Sequence, residues 1–284
     1  MTIVAELLHN SLDPTLTGER LRQQMLADFP DFDPDRLTVL PTEKRSENHL
    51  VNLMHDERVI AVMGAPISVG TDLTQIAQVS MLWPDDLPVP SDCGGRTIVS
   101  ILRPNDDPLS RSDETRHIAA IDDATLLSRT MAAAIAASDS IVAVHFGSAG
   151  HVVAPATFRE LALETSSVSL PSAWVSRNIA TAPGGSVSGY TRGMDMLGLM
   201  DIEIIESSES PEDTFMRLTD ISTYQLQNGP VIGDGDSLGA TEDVELFASH
   251  APSVHNPDKT VLRLAFANNE EAPARQKKRW FRRK

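Results

Sequence analysis

Tyr190 to Gly239 reads YTRGMDMLGLMDIEIIESSESPEDTFMRLTDISTYQLQNGPVIGDGDSLG, and glycine, acid and turn residues stand there at closer spacing than a core alone requires. Met200, Ile202 and Ile204 alternate with Asp201 and Glu203, the period of a strand, which sets both carboxylates on the face opposite the apolar residues. Paired acids on a strand can bind a metal or shuttle protons, but the simpler expectation is the wet face of an edge strand. Ser210 followed by Pro211, Glu212 and Asp213 starts a helix, because the hydroxyl caps free amides and the acids oppose the helix dipole. Phe215, Leu218 and Ile221 mark its buried stripe, and Asn228-Gly229-Pro230 stops it. A strand and an amphipathic helix side by side predict an α+β fold, with mixed strands and helices mainly on one sheet face.

Upstream of this stretch, strands and helices interleave. Thr17 caps an expected helix to about Asp28, and residues 48–54 and 58–63 read as two β segments around a polar turn. A helix is expected over 72–82, then the loop WPDDLPVPSDCGG and a strand over 96–102. Asp122 or Asp123 caps an expected helix carrying Leu127, Met131 and Ile135, followed by the strand IVAVHF, the turn GSAG, a short HVV segment and a helix from about 155 to 164. The strands VIAVMGAP and IVAVHFGSAG look alike, which raises the reading of two related subdomains. Residues 1–103 are read as an N-terminal α+β subdomain, 104–116 as a linker, 117–267 as a C-terminal α+β module and 268–284 as a disordered basic tail.

A chain of 284 residues buries a substantial core without a disulfide or structural metal, and the lone Cys93 fits a reducing compartment. MTIVAELLHNSLD lacks the basic flank and long apolar core of a secretion signal, and no apolar run reaches the roughly 18 residues that span a bilayer. A cytoplasmic protein is expected, peripheral to a membrane if its tail binds one. Seven of the 24 Lys and Arg residues lie between Arg275 and Lys284, leaving 17 against 40 acids in the body, a balance of −23. Such a body repels phosphate backbones, so DNA binding by it is not expected. The tail itself, with Arg275, Lys277, Lys278, Arg279, Trp280, Phe281, Arg282, Arg283 and Lys284, suits an anionic partner such as a membrane surface or RNA.

Catalytic motifs are tested by the geometry each needs. Asp234, Asp236, Gly239 and Glu245 fall at positions 1, 3, 6 and 12 of a calcium loop, but Leu238 takes the place of an oxygen ligand and no incoming helix precedes. Asp-Gly-Asp is therefore read as a tight turn, with a looser Mg²⁺ or Ca²⁺ site on Asp234 and Asp236 as the alternative. No other cofactor is expected. The same segment is one residue too long for the dinucleotide fingerprint. GSAG around Ser148 is not a nucleophile elbow, since the glycine two residues before the serine is missing. His145 and His151 flank that turn and could face each other across it, and Cys93 has no neighbour in sequence that would lower its pKa.

Tyr190-Thr191-Arg192-Gly193-Met194, Leu197-Gly198, Asp201-Ile202-Glu203-Ile204, Asn228-Gly229-Pro230-Val231-Ile232 and Asp234-Gly235-Asp236-Ser237-Leu238-Gly239 together resemble the bacterial domain-of-unknown-function family 4261. The resemblance runs from about Trp174 to Gly239, more weakly from about 122, with Ser237 where threonine is common. It implies an intracellular bacterial α+β protein and supplies no catalytic residues. The expected function is a non-enzymatic regulatory or protein-interaction module with a basic-aromatic recruitment tail. The alternatives are a hydrolase-like metal enzyme on Asp234 and Asp236, or a small-ligand module in which Arg192, His145 and His151 make the contacts.

Overall fold

The computed structural model describes residues 3–41, 49–67, 72–104, 111–164, 172–241 and 244–266. Two compact units divide the chain, Met1–Trp174 and Val175–Lys284, and the fold is α+β.

In the first unit, seven antiparallel strands lie in the order β2-β3-β4-β5-β1-β6-β7: β1 (Ile3–His9), β2 (Leu37–Leu40), β3 (His49–His55), β4 (Arg58–Ala65), β5 (Gly95–Leu102), β6 (Ile141–Phe146) and β7 (His151–Val153). Its helices are α1 (Gly18–Asp28), α2 (Leu73–Gln78), α3 (Asp113–Ala137) and α4 (Pro155–Leu163). Strand alternation sorts the side chains. Leu53, Ile60, Ile101 and Ile3 stand opposite one another across four strands, as do Val51, Val62, Val99 and Ala5, and all are buried. Helices α1, α3 and α4 cover this face: a side chain on Gly18 of α1 would strike Val39 and Val51, and Phe146 of β6 packs on Phe158 of α4 at 5.8 Å. Arg159 clamps the three helices together, donating to both Asp28 oxygens at 2.6 and 2.7 Å and to the Ala132 carbonyl at 2.9 Å.

Among the described residues, the opposite face is covered only at one end, where Leu73 and Ala77 of α2 and Trp83 pack on Leu8, Ala143 and Val152. Beyond that end, among the described residues, it is open. Val4, Ile98, Met63 and Leu50 of β1, β5, β4 and β3 share it, and Val4, Met63 and Leu50 remain 37–41% exposed.

Several expected boundaries move. The helix expected to begin at Asp122 or Asp123 begins at Asp113, where Ser112 Oγ accepts from Thr115 N at 3.3 Å and two acids occupy the first turn. Asp123 is thus a buried mid-helix residue rather than a cap. The expected linker 104–116 lies within the first unit, its residues 105–110 falling outside the described residues. The helix expected over 72–82 stops at Gln78, because Ser80 turns inward to donate to the Val152 carbonyl at 2.5 Å and the Leu82 carbonyl accepts from Ala154 N at 3.1 Å. The look-alike strands VIAVMGAP and IVAVHF are β4 and β6 of this one sheet.

The second unit holds a six-stranded mixed sheet, order β11-β12-β13-β10-β9-β8, with β8 (Ser176–Thr181), β9 (Val187–Arg192), β10 (Ile202–Ser207), β11 (Ser237–Thr241), β12 (Val244–Pro252) and β13 (Thr260–Phe266). Among the described residues only β10 and β13 pair in parallel, joined by a crossover through α5 (Pro211–Asn228) and the β11–β12 hairpin. Ser210 caps α5 as expected, its Oγ accepting from Asp213 N at 3.1 Å. Leu218 and Ile221 of α5 pack on Ile202, Ile204, Leu262 and Leu264. Gly189 of β9 permits the approach, since a Cβ there would stand 2.9 Å from both Ile179 and Leu218.

Candidate functional site

The face of the second sheet turned away from α5 carries a polar row in register: Asn178, Tyr190, Glu203, Arg263 and Ser249, one from each of five neighbouring strands. Glu203 was expected on the wet face of an edge strand. Instead β10 lies inside the sheet, between β9 and β13, and Glu203 is 2% exposed. A segment following β12 covers it. Glu203 Oε1 accepts from Ser253 Oγ at 2.5 Å, and Oε2 accepts from Val254 N at 3.3 Å and Arg263 Nη2 at 3.2 Å. Ser253 Oγ in turn accepts from the amides of His255 and Asn256 at 3.1 Å, and the His255 ring stacks on Tyr190 at 4.1 Å. A buried carboxylate committed to a hydroxyl, an amide and a guanidinium holds the backbone of residues 252–256 against the sheet.

Next to the row, Asp201 sits where the chain enters β10. Thr191 Oγ1 and Met194 N both donate to its Oδ1, at 3.2 and 3.1 Å. Gly193 and Gly198, at φ 102° and 73°, bracket the 3₁₀ turn Met194–Leu197 that aims the Met194 amide, a backbone shape which favours glycine. Asp195 on that turn receives Lys259 Nζ at 2.5 Å. Burial, and then the nearby Asp195 charge, push the Asp201 carboxyl up to about 6. Between its ordinary 3.8 and about 6 the folded state holds a proton that the unfolded state has lost, so this residue's contribution to stability falls as pH rises through that window. Asp201→Asn keeps the accepting oxygen and removes the charge. It is expected to stabilise the second unit by about 1–2 kcal/mol at pH 7.5 and to leave it unchanged at pH 4. Amide exchange of β10 peptides at the two pH values checks this.

Within each unit, the residues singled out from sequence are held by separate backbone or side-chain partners. Asp234 Oδ1 accepts from His250 N at 2.8 Å and Asp236 Oδ2 from Gly233 N at 2.9 Å, so each aspartate braces the turn leading into β11. The Glu245 side chain lies outside the described residues. Among the described residues, no group of three or more His, Cys, Asp or Glu is placed to hold a metal ion. Arg192 is exposed at the end of β9. His145 and His151 do not face each other: His151 pairs in register with Phe146, so it lies on the opposite face from His145. His151 is buried and bonds to the Ala173 carbonyl at 2.8 Å, while His145 Nδ1 donates to Glu6 Oε2 at 2.9 Å. Burial pushes the Cys93 thiol up and disfavours a reactive thiolate. The tail from Arg275 to Lys284 lies outside the described residues.

The polar row was missed because cross-strand register is not local in sequence. Only Tyr190 and Glu203 of it fall within the motifs quoted above, and nothing near them in the chain announces Arg263 or Ser253.

Fold and site define the second unit as a mixed sheet with one covering helix and a clasped polar face. Residues 190–265, from β9 to β13, match the family described as Domain of unknown function (DUF4261), the family that the motifs of the Tyr190 stretch resemble. No curated protein and no solved structure matches the chain.

Proposed function

We propose that the protein is a non-enzymatic interaction module of the bacterial cytoplasm, which binds a protein partner through the open face of the first sheet. The observation that carries this reading is the apolar group of Leu50, Met63 and Ile98, in register across β3, β4 and β5, with Val4 of β1 diagonal to Ile98, on a face that no helix among the described residues covers beyond its α2 end. Contiguous apolar surface on a folded chain marks an association site more often than chance exposure. The internal commitment of Glu203, Ser253 and Asp201 supports the non-enzymatic half, because these groups are occupied in holding backbone.

The tail supplies a second attachment, to an anionic membrane surface or RNA, and makes the protein peripheral to the membrane in the first case. No helix among the described residues is long and apolar enough to cross a membrane. A photo-reactive amino acid at position 63 is expected to cross-link a protein in cells, whereas one at Met216, 55% exposed on α5, gives none. Equal yields at the two positions, or none at 63, overturn the reading. Co-sedimentation with anionic vesicles or RNA is expected to disappear when Arg275 to Lys284 are deleted, and unchanged co-sedimentation removes the tail from the proposal.

A further inference from the structure

Resting on the open sheet face as an interaction surface, we infer that its partner is a second copy of this chain, packed sheet to sheet on the same face. The charge pattern selects the occupant. Although the chain outside its last ten residues carries 40 acids against 17 bases, this face carries an adjacent acid and base, Glu6 on β1 and Arg96 on β5, with His145 on β6 donating to the other Glu6 oxygen at 2.9 Å. Nucleic acid or an anionic membrane requires a basic face, and the basic tail requires an acidic one; this face is neither.

A neighbouring acid–base couple within an apolar face is self-complementary under two-fold rotation. The contact within one chain is long, 3.5 Å from Arg96 Nη1 to Glu6 Oε1, and both side chains keep access to solvent, at 34% and 21% exposure. A two-fold axis lying in the interface and passing between the two residues sets Glu6 of each copy over Arg96 of the other. That arrangement gives each guanidinium a second carboxylate and buries Val4, Met63 and Leu50 around the pair.

Size permits the contact. Four strands of about seven residues and the four-residue β2, at about 4.8 Å spacing and about 3.3 Å per residue, make a face about 24 Å by 23 Å at its widest. With side-chain relief counted, that is the order of the roughly 800 Å² per partner that specific interfaces bury.

Sedimentation of the purified full chain tests the inference. Wild type is expected to be a dimer, and Leu50→Glu with Met63→Glu a monomer whose tryptophan emission is unchanged. Glu6→Arg alone and Arg96→Glu alone place like charges across the axis and should each weaken the dimer about tenfold or more. Mixed in equal amounts, these two variants restore opposite charges at both contacts and should form a heterodimer, an outcome that loss of folding in either variant could not mimic. A wild-type chain that stays monomeric overturns the second copy as partner, and if position 63 still cross-links in cells the interaction reading stands without it. A dimer indifferent to both the apolar and the charge substitutions places the interface elsewhere and overturns the inference.

Discussion

Asp123→Ala is expected to destabilise the first unit by about 3–5 kcal/mol, the cost of stranding buried positive charge when one partner of an ion pair is removed. Asp123 is 5% exposed in the middle of α3. Arg103, just past the end of β5, reaches it with Nε at 3.1 and 2.9 Å from the two oxygens and Nη2 at 2.7 Å from Oδ1. Arg58 Nη1 at the start of β4 stands 3.7 Å from the same oxygen. One carboxylate therefore ties the long helix α3 to two neighbouring strands and neutralises two partly buried guanidinium groups. Urea unfolding followed by tryptophan emission checks the prediction, since Trp83 and Trp174 are buried in the first unit and a Trp280→Phe background silences the tail. Asp123→Leu combined with Arg103→Met should recover a large part of the loss, because two apolar groups leave fewer stranded charges than one missing acid. A single variant within 1 kcal/mol of wild type, roughly the range of exposed pairs, would mean that the cluster is hydrated.

Acid is expected to remove about 3 kcal/mol from the same unit between pH 6.5 and 4, through His9. This residue is fully buried at the end of β1, and burial pushes its ring down to about 4. The sign follows from the protons. An unfolded histidine takes its proton near 6.5 and the folded one only near 4, so within that window the unfolded state binds more protons and stability falls as pH drops. Above the window the contribution is complete.

The hydrogen-bond chain around His9 fixes its tautomer. Asp13 can only accept, so Ser138 donates to it at 2.7 Å. Ser138 Oγ is then left to accept from Ser140 at 3.0 Å, Ser140 Oγ accepts from His9 Nδ1 at 2.8 Å, and His9 Nε2 accepts from Thr97 at 2.8 Å. Nitrogen NMR of the ring should find the proton on Nδ1 at neutral pH. His9→Gln should flatten the acid dependence seen in tryptophan emission, and a wild-type curve as flat as the variant's would show that the ring titrates near its ordinary value.

Local signals carried the parts of the fold that local chemistry decides. Thr17, Ser210 and the Asn228-Gly229-Pro230 stop act within one turn of their helices, and α1 and α5 lie where they place them. The central strand β1 escaped, because Leu7 and Leu8 are both buried and break the alternation that would announce it: α2 covers Leu8 while the helix face takes Leu7. The start of α3 escaped for the opposite reason, since its first two turns are polar and read as loop until Ser112 is recognised as the cap. Glu203 shows the limit for sites. Its alternation with Ile202 and Ile204 set its face correctly, but only the return of residues 252–256 over the sheet turns a wet carboxylate into a buried one, and that return lies fifty residues away.

Burying a base in one unit and an acid in the other has a consequence for any whole-chain titration. Near pH 5 the first unit folds by shedding the proton of His9, whereas the second folds by taking one up at Asp201. The two exchanges nearly cancel in a calorimeter cell. Unfolding of the intact chain would therefore look indifferent to buffer choice over the range in which one unit is losing stability and the other gaining it, and the apparent neutrality would be the sum of two opposed titrations.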